Sequence, residues 1–391
     1  MPVNIAMTPQ EVEQLIDQGN TFRSQHQPLQ ALRYYGQAFI ENPDSFSAWN
    51  NYGNVIRECG HPARGVPFLQ HALLLNPNNV TAQFNLAVCY LMMGDYARGW
   101  PAYECRWNYE HLAGTLPQYP QPRWTGQDLK GKTILVQGEQ GHGDNIQFVR
   151  FLWNLHVLGA KIKLKVTDGL VPLLSNSNII ELVVRYDQDP GEFDYWIPIM
   201  SLPGVLGITL DNLPKQVSYL SVDMNLQQEW LKRLGPKKKM RIGFSWSGRR
   251  DAWLNQHKGV PFDTMLTMIK DNPQYEWINL QIDATPEEES ALEAAGVKRY
   301  PGTIQSFKDT AALIMAMDVV LTVDTAIAHL SGALGRPTWI MLNWFATCWR
   351  WLANRDDSPW YSTVRLFRQP KMDDWQSVTK KVSQFLSWMK V

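Results

Sequence analysis

Shifted by 34 residues, the first hundred positions of the chain overlay their own small and apolar residues. Gly19 falls on Gly53 and then Ala87, Ala38 on Ala72, and Pro43 on Pro77. Large residues keep the same step: Tyr35 corresponds to Leu69 and Tyr103, and Phe22 to Ile56 and Tyr90. A period of this length predicts stacked helix pairs whose apolar faces are buried against their neighbours. Small residues let two antiparallel helices approach closely, and Pro closes each unit. Thr8-Pro9-Gln10-Glu11 marks the start, a capping box with Pro at the first helical position.

Beyond residue 130 the pattern changes to short β-runs separated by helices. TILVQ (133–137), KIKLKVT (161–167), ELVVRY (181–186) and YWIPI (195–199) read as strands, with a helix over about 144–158. MRIGFSW (240–246), WINLQI (277–282), VVLTV (319–323), PTWIML (337–342) and VRLFR (364–368) form a second set. Helices fit between them, and a last one runs over about 373–390. The alternation predicts two parallel-sheet domains. Residues 112–130 carry three prolines and no apolar period, so they read as a linker or strap.

The 34-residue units resemble tetratricopeptide repeats. Leu15/Gly19/Phe22/Tyr35/Ala38/Pro43 and Trp49/Gly53/Ile56/Leu69/Ala72/Pro77 meet that pattern. A third unit keeps Gly94, Tyr96 and Gly99, then runs into GWPAYECRW with Arg106 where Ala is expected. The expected organisation is three repeats over 1–111, the strap over 112–130, and two Rossmann-like domains over 131–235 and 236–391. The fold class is α/β: all-α repeats followed by a GT-B architecture.

Composition narrows the function. Lys plus Arg equals Asp plus Glu, 37 each, so the balance gives no support for broad attraction to nucleic acid or an anionic membrane. No stretch approaches 18 uninterrupted apolar residues, and the N-terminus lacks a signal pattern, so no membrane span is expected and a cytoplasmic location is. Four cysteines without paired spacing read as buried thiols in a reducing compartment. The eight histidines include no HxxxH or HxH pair, so no metal site is expected.

Three loops could carry chemistry. After the first strand come Gly138-Glu139-Gln140-Gly141-His142-Gly143-Asp144 and, on the following helix, Gln147. Glycines here let backbone approach a ligand, though the spacing is not that of a dinucleotide site. The structural alternative is a tight turn with Asp144 as helix N-cap. In the second domain VVLTV delivers Asp324-Thr325-Ala326 to a helix start, with His329 one turn along on the Thr325 face. Main-chain N–H groups and a Thr hydroxyl there suit a diphosphate, and a capped helix with a core histidine is the alternative. Ser245-Trp246-Ser247-Gly248-Arg249-Arg250, with Lys258 beyond, adds small residues and cations able to neutralise a leaving diphosphate. Asp187-Gln188-Asp189 matches the DxD of metal-dependent transferases but sits in a Pro/Gly turn, where Asp is common anyway.

Together, GEQGHGDNIQFVRF, GFSWSG, DTAALIMAMDVVLTVDTAIAHLSGALGRPTW, WRWL and DSPWYSTVRLFRQ resemble bacterial and phage proteins that fuse tetratricopeptide repeats to a lipopolysaccharide-heptosyltransferase-like domain. The resemblance implies that Asp144, after Gly143, is the catalytic base. It implies that Asp324, Thr325, Ala326 and His329 hold a nucleotide sugar, and that Lys258 contacts donor phosphate. Ala326 stands where those enzymes have Gly, Cys348 precedes Trp349-Arg350-Trp351 where Asp is common, and Ser362 follows Ser358-Pro359-Trp360-Tyr361 where Pro is common.

The expected activity is therefore inverting, metal-independent glycosyl transfer from a nucleoside-diphosphate sugar to an acceptor hydroxyl of a glycan, a protein or a modified DNA base. No cofactor is implied, because the nucleotide sugar is a co-substrate. Ser245, Ser247, Gly248, Arg249 and Gln281 join the donor set; Glu139, Gln140, Gly141, His142, Gly143 and Gln147 form the acceptor loop. Pairing of two copies through the repeats is a further expectation. The rival expectation is a repeat scaffold whose GT-B portion binds without catalysing.

Overall fold

A computed structural model describes residues 7–248 and 258–389. They gather into a helical unit (Met1–Gln118 with Ile208–Asp211 and Trp344–Asn354) and an α/β unit (Tyr119–Gly207, Asn212–Asn343 and Arg355–Val391). The expected divisions follow chain order. Packing instead places two later segments, one of them from within 236–391, with the repeats.

The helical unit holds α1 (Pro9–Ser24), α2 (Pro28–Glu41), α3 (Phe46–Glu58), α4 (Pro62–Leu75), α5 (Val80–Met93) and α6 (Tyr96–Tyr103). The capping box is present: Thr8 Oγ1 accepts from Glu11 N–H, and the Glu11 carboxylate accepts from Thr8 N–H. The period has a direct steric cause. A Cβ on Gly19 would lie 2.7 Å from Tyr35 Cδ1, and one on Gly53 would lie 2.9 Å from Leu69 Cγ. The third pair departs where the sequence does. Its second helix stops at Tyr103 and tightens to a 3-10 turn over Glu104–Asn108. Arg106, fully buried, pairs with Glu104 at 2.7 Å and lies over the Tyr103 and Trp107 rings.

The segment Trp344–Asn354 packs on these repeats. Ala346 N–H donates to Glu58 O and Ala353 N–H to Met92 O, while Trp349 meets the Trp100 ring edge-on at 5.5 Å. Trp351 is completely buried. WRWL therefore belongs with the helices rather than with the strands that flank it in sequence.

The α/β unit contains every expected strand: β1 (Thr133–Gln137), β2 (Lys161–Val166), β3 (Leu182–Arg185), β4 (Tyr195–Pro198), β5 (Arg241–Phe244), β6 (Glu276–Asn279), β7 (Val319–Val323), β8 (Thr338–Leu342) and β9 (Val364–Arg368). They form two sheets, β3-β2-β1-β4 and β6-β5-β7-β8-β9, parallel throughout. β1, β5, β7 and β8 are almost wholly apolar and buried, as strands covered on both faces must be. The strap borders β4: Trp124 N–H donates to Trp196 O at 2.8 Å, which caps a sheet edge. The expected fold class, helical repeats followed by two Rossmann-like sheets, is the observed one.

The helices of this unit are α7 (His142–Phe148), α8 (Leu152–Val157), α9 (Val171–Leu174), α10 (Leu202–Val205), α11 (Met224–Leu234), α12 (Phe262–Lys270), α13 (Pro286–Ala294), α14 (Phe307–Met315), α15 (Ala326–Ala333) and α16 (Trp375–Trp388). The helix expected over 144–158 is two helices, α7 and α8, joined by a 3-10 turn at Val149–Phe151. Strand order reverses beside β1 in the first sheet and beside β5 in the second. Ligands of open parallel sheets bind at such switch points, beyond the carboxyl ends of the strands. The loops leaving β1, β5 and β7 are the three singled out from sequence.

Candidate functional site

The loop leaving β1 is held by its own side chains. Asn145, fully buried, donates through Nδ2 to Glu139 O at 3.0 Å and Gly141 O at 2.8 Å, and its Oδ1 accepts from Glu139 N–H. Gln140, exposed, takes a positive φ of 57° to make the turn. Gly141, not Asp144, is the N-cap of α7. Asp144 stands at the third helical position, and its Oδ2 accepts from Gly141 N–H at 2.8 Å. The reading of Asp144 as N-cap is thereby corrected: the chain turns at Gln140, so α7 begins at His142, ahead of Asp144.

Glu139 is buried and accepts from Met200 N–H at 2.9 Å, which ties the β1 loop to the turn after β4 across the switch point. His142 packs its ring on Phe307 at 4.9 Å, and Gln147 is fully buried. Tyr186, just past β3, escaped the sequence analysis. Its hydroxyl would lie 2.9 Å from a Cβ on Gly138. Partial burial, with the Glu139 and Asp144 carboxylates beside it, pushes its phenol up to about 12. Asn145 and Tyr186 carried no signal beyond their neighbours, because their roles depend on a fold-dependent meeting of loops.

In the second sheet the loops leaving β5 and β7 meet side by side. Ser245 Oγ and Thr322 Oγ1 are 2.7 Å apart, and Thr322 Oγ1 lies 3.3 Å from Thr325 Oγ1. Thr325 is the N-cap of α15, yet its side chain makes no cap hydrogen bond there. Lys258 Nζ lies 3.1 Å from Asp324 Oδ2, with the Asp324 side chain 8% exposed. Gln281 Oε1 accepts from Trp246 N–H and Ser247 N–H at 3.3 and 3.2 Å, and its Nε2 donates to Asp283. Gln281 thus shapes the Ser245–Gly248 turn. Ser247 Oγ is buried with no hydrogen-bond partner among the described residues. Arg249 lies outside the described residues.

The two sets of loops come together at Gly143. A Cβ there would lie 2.8 Å from His329 Cδ2 and 3.4 Å from Ala326 Cα. His329 is 4% exposed, and its Nδ1 lies 2.9 Å from Tyr361 Oη. The α7 start that carries Asp144 and the α15 start that carries Thr325 and Ala326 therefore share one seam. Chemically the seam offers a carboxylate, an uncapped helix start and a lysine held beside it. Among the described residues no group of three or more His, Cys, Asp or Glu could hold a metal ion, and no helix is long and apolar enough to cross a membrane.

Residues 68–100 match the family model described as Tetratricopeptide repeat. Over 328 residues, 77% of this chain, the sequence is 29% identical to Protein FlbA of Caulobacter vibrioides. The match covers 54% of that protein, so the chain spans about half the length of this curated relative. Among solved structures it is similar to E. coli ADP-heptose lps heptosyltransferase II, with TM-score 0.49, 16% identity and coverage of 65% of this chain and 97% of that one. It is also similar to the glycosyl transferase family 9 protein from Veillonella parvula, with TM-score 0.49, 12% identity and coverage of 68% and 92%. Residues 68–100 thus match a tetratricopeptide repeat, ahead of an α/β unit built on two all-parallel sheets.

Proposed function

We propose that the α/β unit is an inverting glycosyltransferase that works without a metal ion, moving a sugar from a nucleoside-diphosphate donor to an acceptor hydroxyl. One observation carries the reading: the contact of Gly143 with Ala326 and His329 puts a carboxylate-bearing helix start against an open helix start. Asp144 removes the proton from the acceptor hydroxyl, whose oxygen attacks the anomeric carbon. The bond from that carbon to the diphosphate oxygen breaks, and the departing charge falls on the α15 N–H groups, Thr325, Ser247 and Lys258. Asp324 presets Lys258 for this task, since the ion pair fixes the ammonium before any ligand arrives.

Glu139, Gln140, Gly141 and His142 form the acceptor side, with Tyr186 added by its place beside Gly138. The acceptor is a glycan, protein or modified-base hydroxyl, and the repeats either present it or pair two copies of the chain.

The deciding experiment is a thermal-shift screen against UDP-, GDP-, ADP-, CMP- and dTDP-sugars, followed by product analysis with the donor that stabilises. A ligand bound only by the folded state raises the melting temperature. Stabilisation and release of free nucleoside diphosphate are the expected results. Donor binding without turnover would instead favour a repeat scaffold with a non-catalytic α/β unit.

A further inference from the structure

Behind the seam lies a buried cation that the proposed chemistry does not use. Arg150 follows α7 and is 2% exposed. Its guanidinium donates to Gln147 O at 3.0 Å, Trp360 O at 2.6 Å and Tyr219 Oη at 3.1 Å. The rings of Tyr219, Trp360 and Tyr361 lie 4.6, 5.2 and 4.7 Å from it. All of these partners are electrically neutral. A charge so held strongly opposes a second positive charge nearby, because little solvent screens the two.

Tyr361 connects this cation to His329. Its hydroxyl lies 2.9 Å from His329 Nδ1 and 3.5 Å from Tyr219 Oη. Tyr219 donates its own proton to Ile146 O at 3.0 Å while its oxygen accepts from Arg150. A guanidinium beside the phenol strengthens Tyr361 as a donor, and Nδ1 lies within its reach at 2.9 Å, whereas the Tyr219 hydroxyl stands towards Tyr361 as a donor. The same charge disfavours an imidazolium at His329.

We infer that Arg150, Tyr219 and Tyr361 are positioning residues that hold His329 as the neutral tautomer protonated on Nε2. The ring atom next to Nε2, Cδ2, is the one that faces Gly143. An N–H on that edge is a donor suited to an oxygen of a diphosphate or sugar, and it cannot take a proton from an acceptor. The ligand assignment rests on the glycosyl-transfer reading, whereas the tautomer stands without it.

15N-histidine labelling of the full chain tests this, with His329→Gln identifying the resonances. Near neutral pH the wild type is expected to show an unprotonated Nδ1 and a protonated Nε2. Tyr361→Phe removes the donor, and the two nitrogens then move towards each other as tautomers mix. Arg150→Met is expected to leave part of His329 doubly protonated. A wild-type proton on Nδ1, a wild-type imidazolium, or a His329 unchanged in Tyr361→Phe overturns the inference. Should Arg150→Met not fold, the wild type and Tyr361→Phe still decide it. A chain with the expected tautomer but no transfer from any donor would sink the enzymatic reading and leave this one standing.

Discussion

Gly143 on α7 and His329 on α15 pack so closely that any side chain at Gly143 would begin 2.8 Å from the imidazole Cδ2. The two halves of the α/β unit meet there through one missing Cβ. Gly143→Ala forces a shift of α7 or of the imidazole, and overpacking of this kind costs roughly 1–3 kcal/mol. The expected result is a folded protein with a lowered melting temperature and donor turnover reduced by more than the stability loss explains. Thermal unfolding and steady-state kinetics on the same preparation check it.

Asp144→Asn separates the base from the cap. Asparagine still offers an oxygen to Gly141 N–H, so stability should change by less than about 1 kcal/mol. Loss of a general base lowers the rate by roughly 10²–10⁴-fold, with donor affinity retained. A variant that transfers sugar at the wild-type rate would rule out Asp144 as the base.

Lys258→Met removes a cation held 3.1 Å from Asp324. A hydrogen bond to a charged group contributes about 1.5–3 kcal/mol, so donor affinity should weaken by one to two decades. Calorimetric titration reads this directly. Adding Asp324→Asn should restore some of the thermal stability, because it relieves the carboxylate left unpaired, without restoring donor affinity.

The repeats should not be removable. Deleting residues 1–111 strips Trp349 and Trp351 of the α5 and α6 surface that covers them. The truncated chain is expected to aggregate or to bind a hydrophobic dye strongly, as newly exposed apolar patches do. A soluble monomer with wild-type dye fluorescence would contradict that packing.

Burial pushes the Cys59 and Cys89 thiols up to about 12 and Cys105 to about 11. All three should therefore resist thiol reagents near neutral pH until the chain unfolds. Above the ordinary thiol value of 9.0 the unfolded chain releases protons that the folded chain keeps. Stability then falls as pH rises from about 9 towards about 12. Labelling kinetics and alkaline unfolding midpoints test both statements.

The sequence by itself determined the repeat period and the approximate place of every strand, and it marked three candidate loops. The 34-residue period arises because Gly19 and Gly53 must sit under Tyr35 and Leu69, a contact shared by the first two helix pairs, with Ala87 at the same place in the third. β7 and β8 are near-continuous apolar runs and β2 and β9 alternate polar with buried apolar residues, so β1 to β9 were legible as local patterns. A glycine-rich turn after β1, small residues with cations after β5 and Asp324-Thr325 at a helix start after β7 marked the three loops.

Only the tertiary structure decided how those pieces combine. Nothing local says that WRWL, between β8 and β9, packs on the repeats, because its tryptophans suit any apolar surface. Nor does spacing reveal Asn145 as the clasp of the β1 loop, Tyr186 as its neighbour, or Arg150 and Tyr361 behind His329. Those roles come from segments up to 210 residues apart meeting at one place, as Arg150 and Trp360 do. Long-range meetings are set by sheet order and helix packing, which a single sequence encodes only in sum.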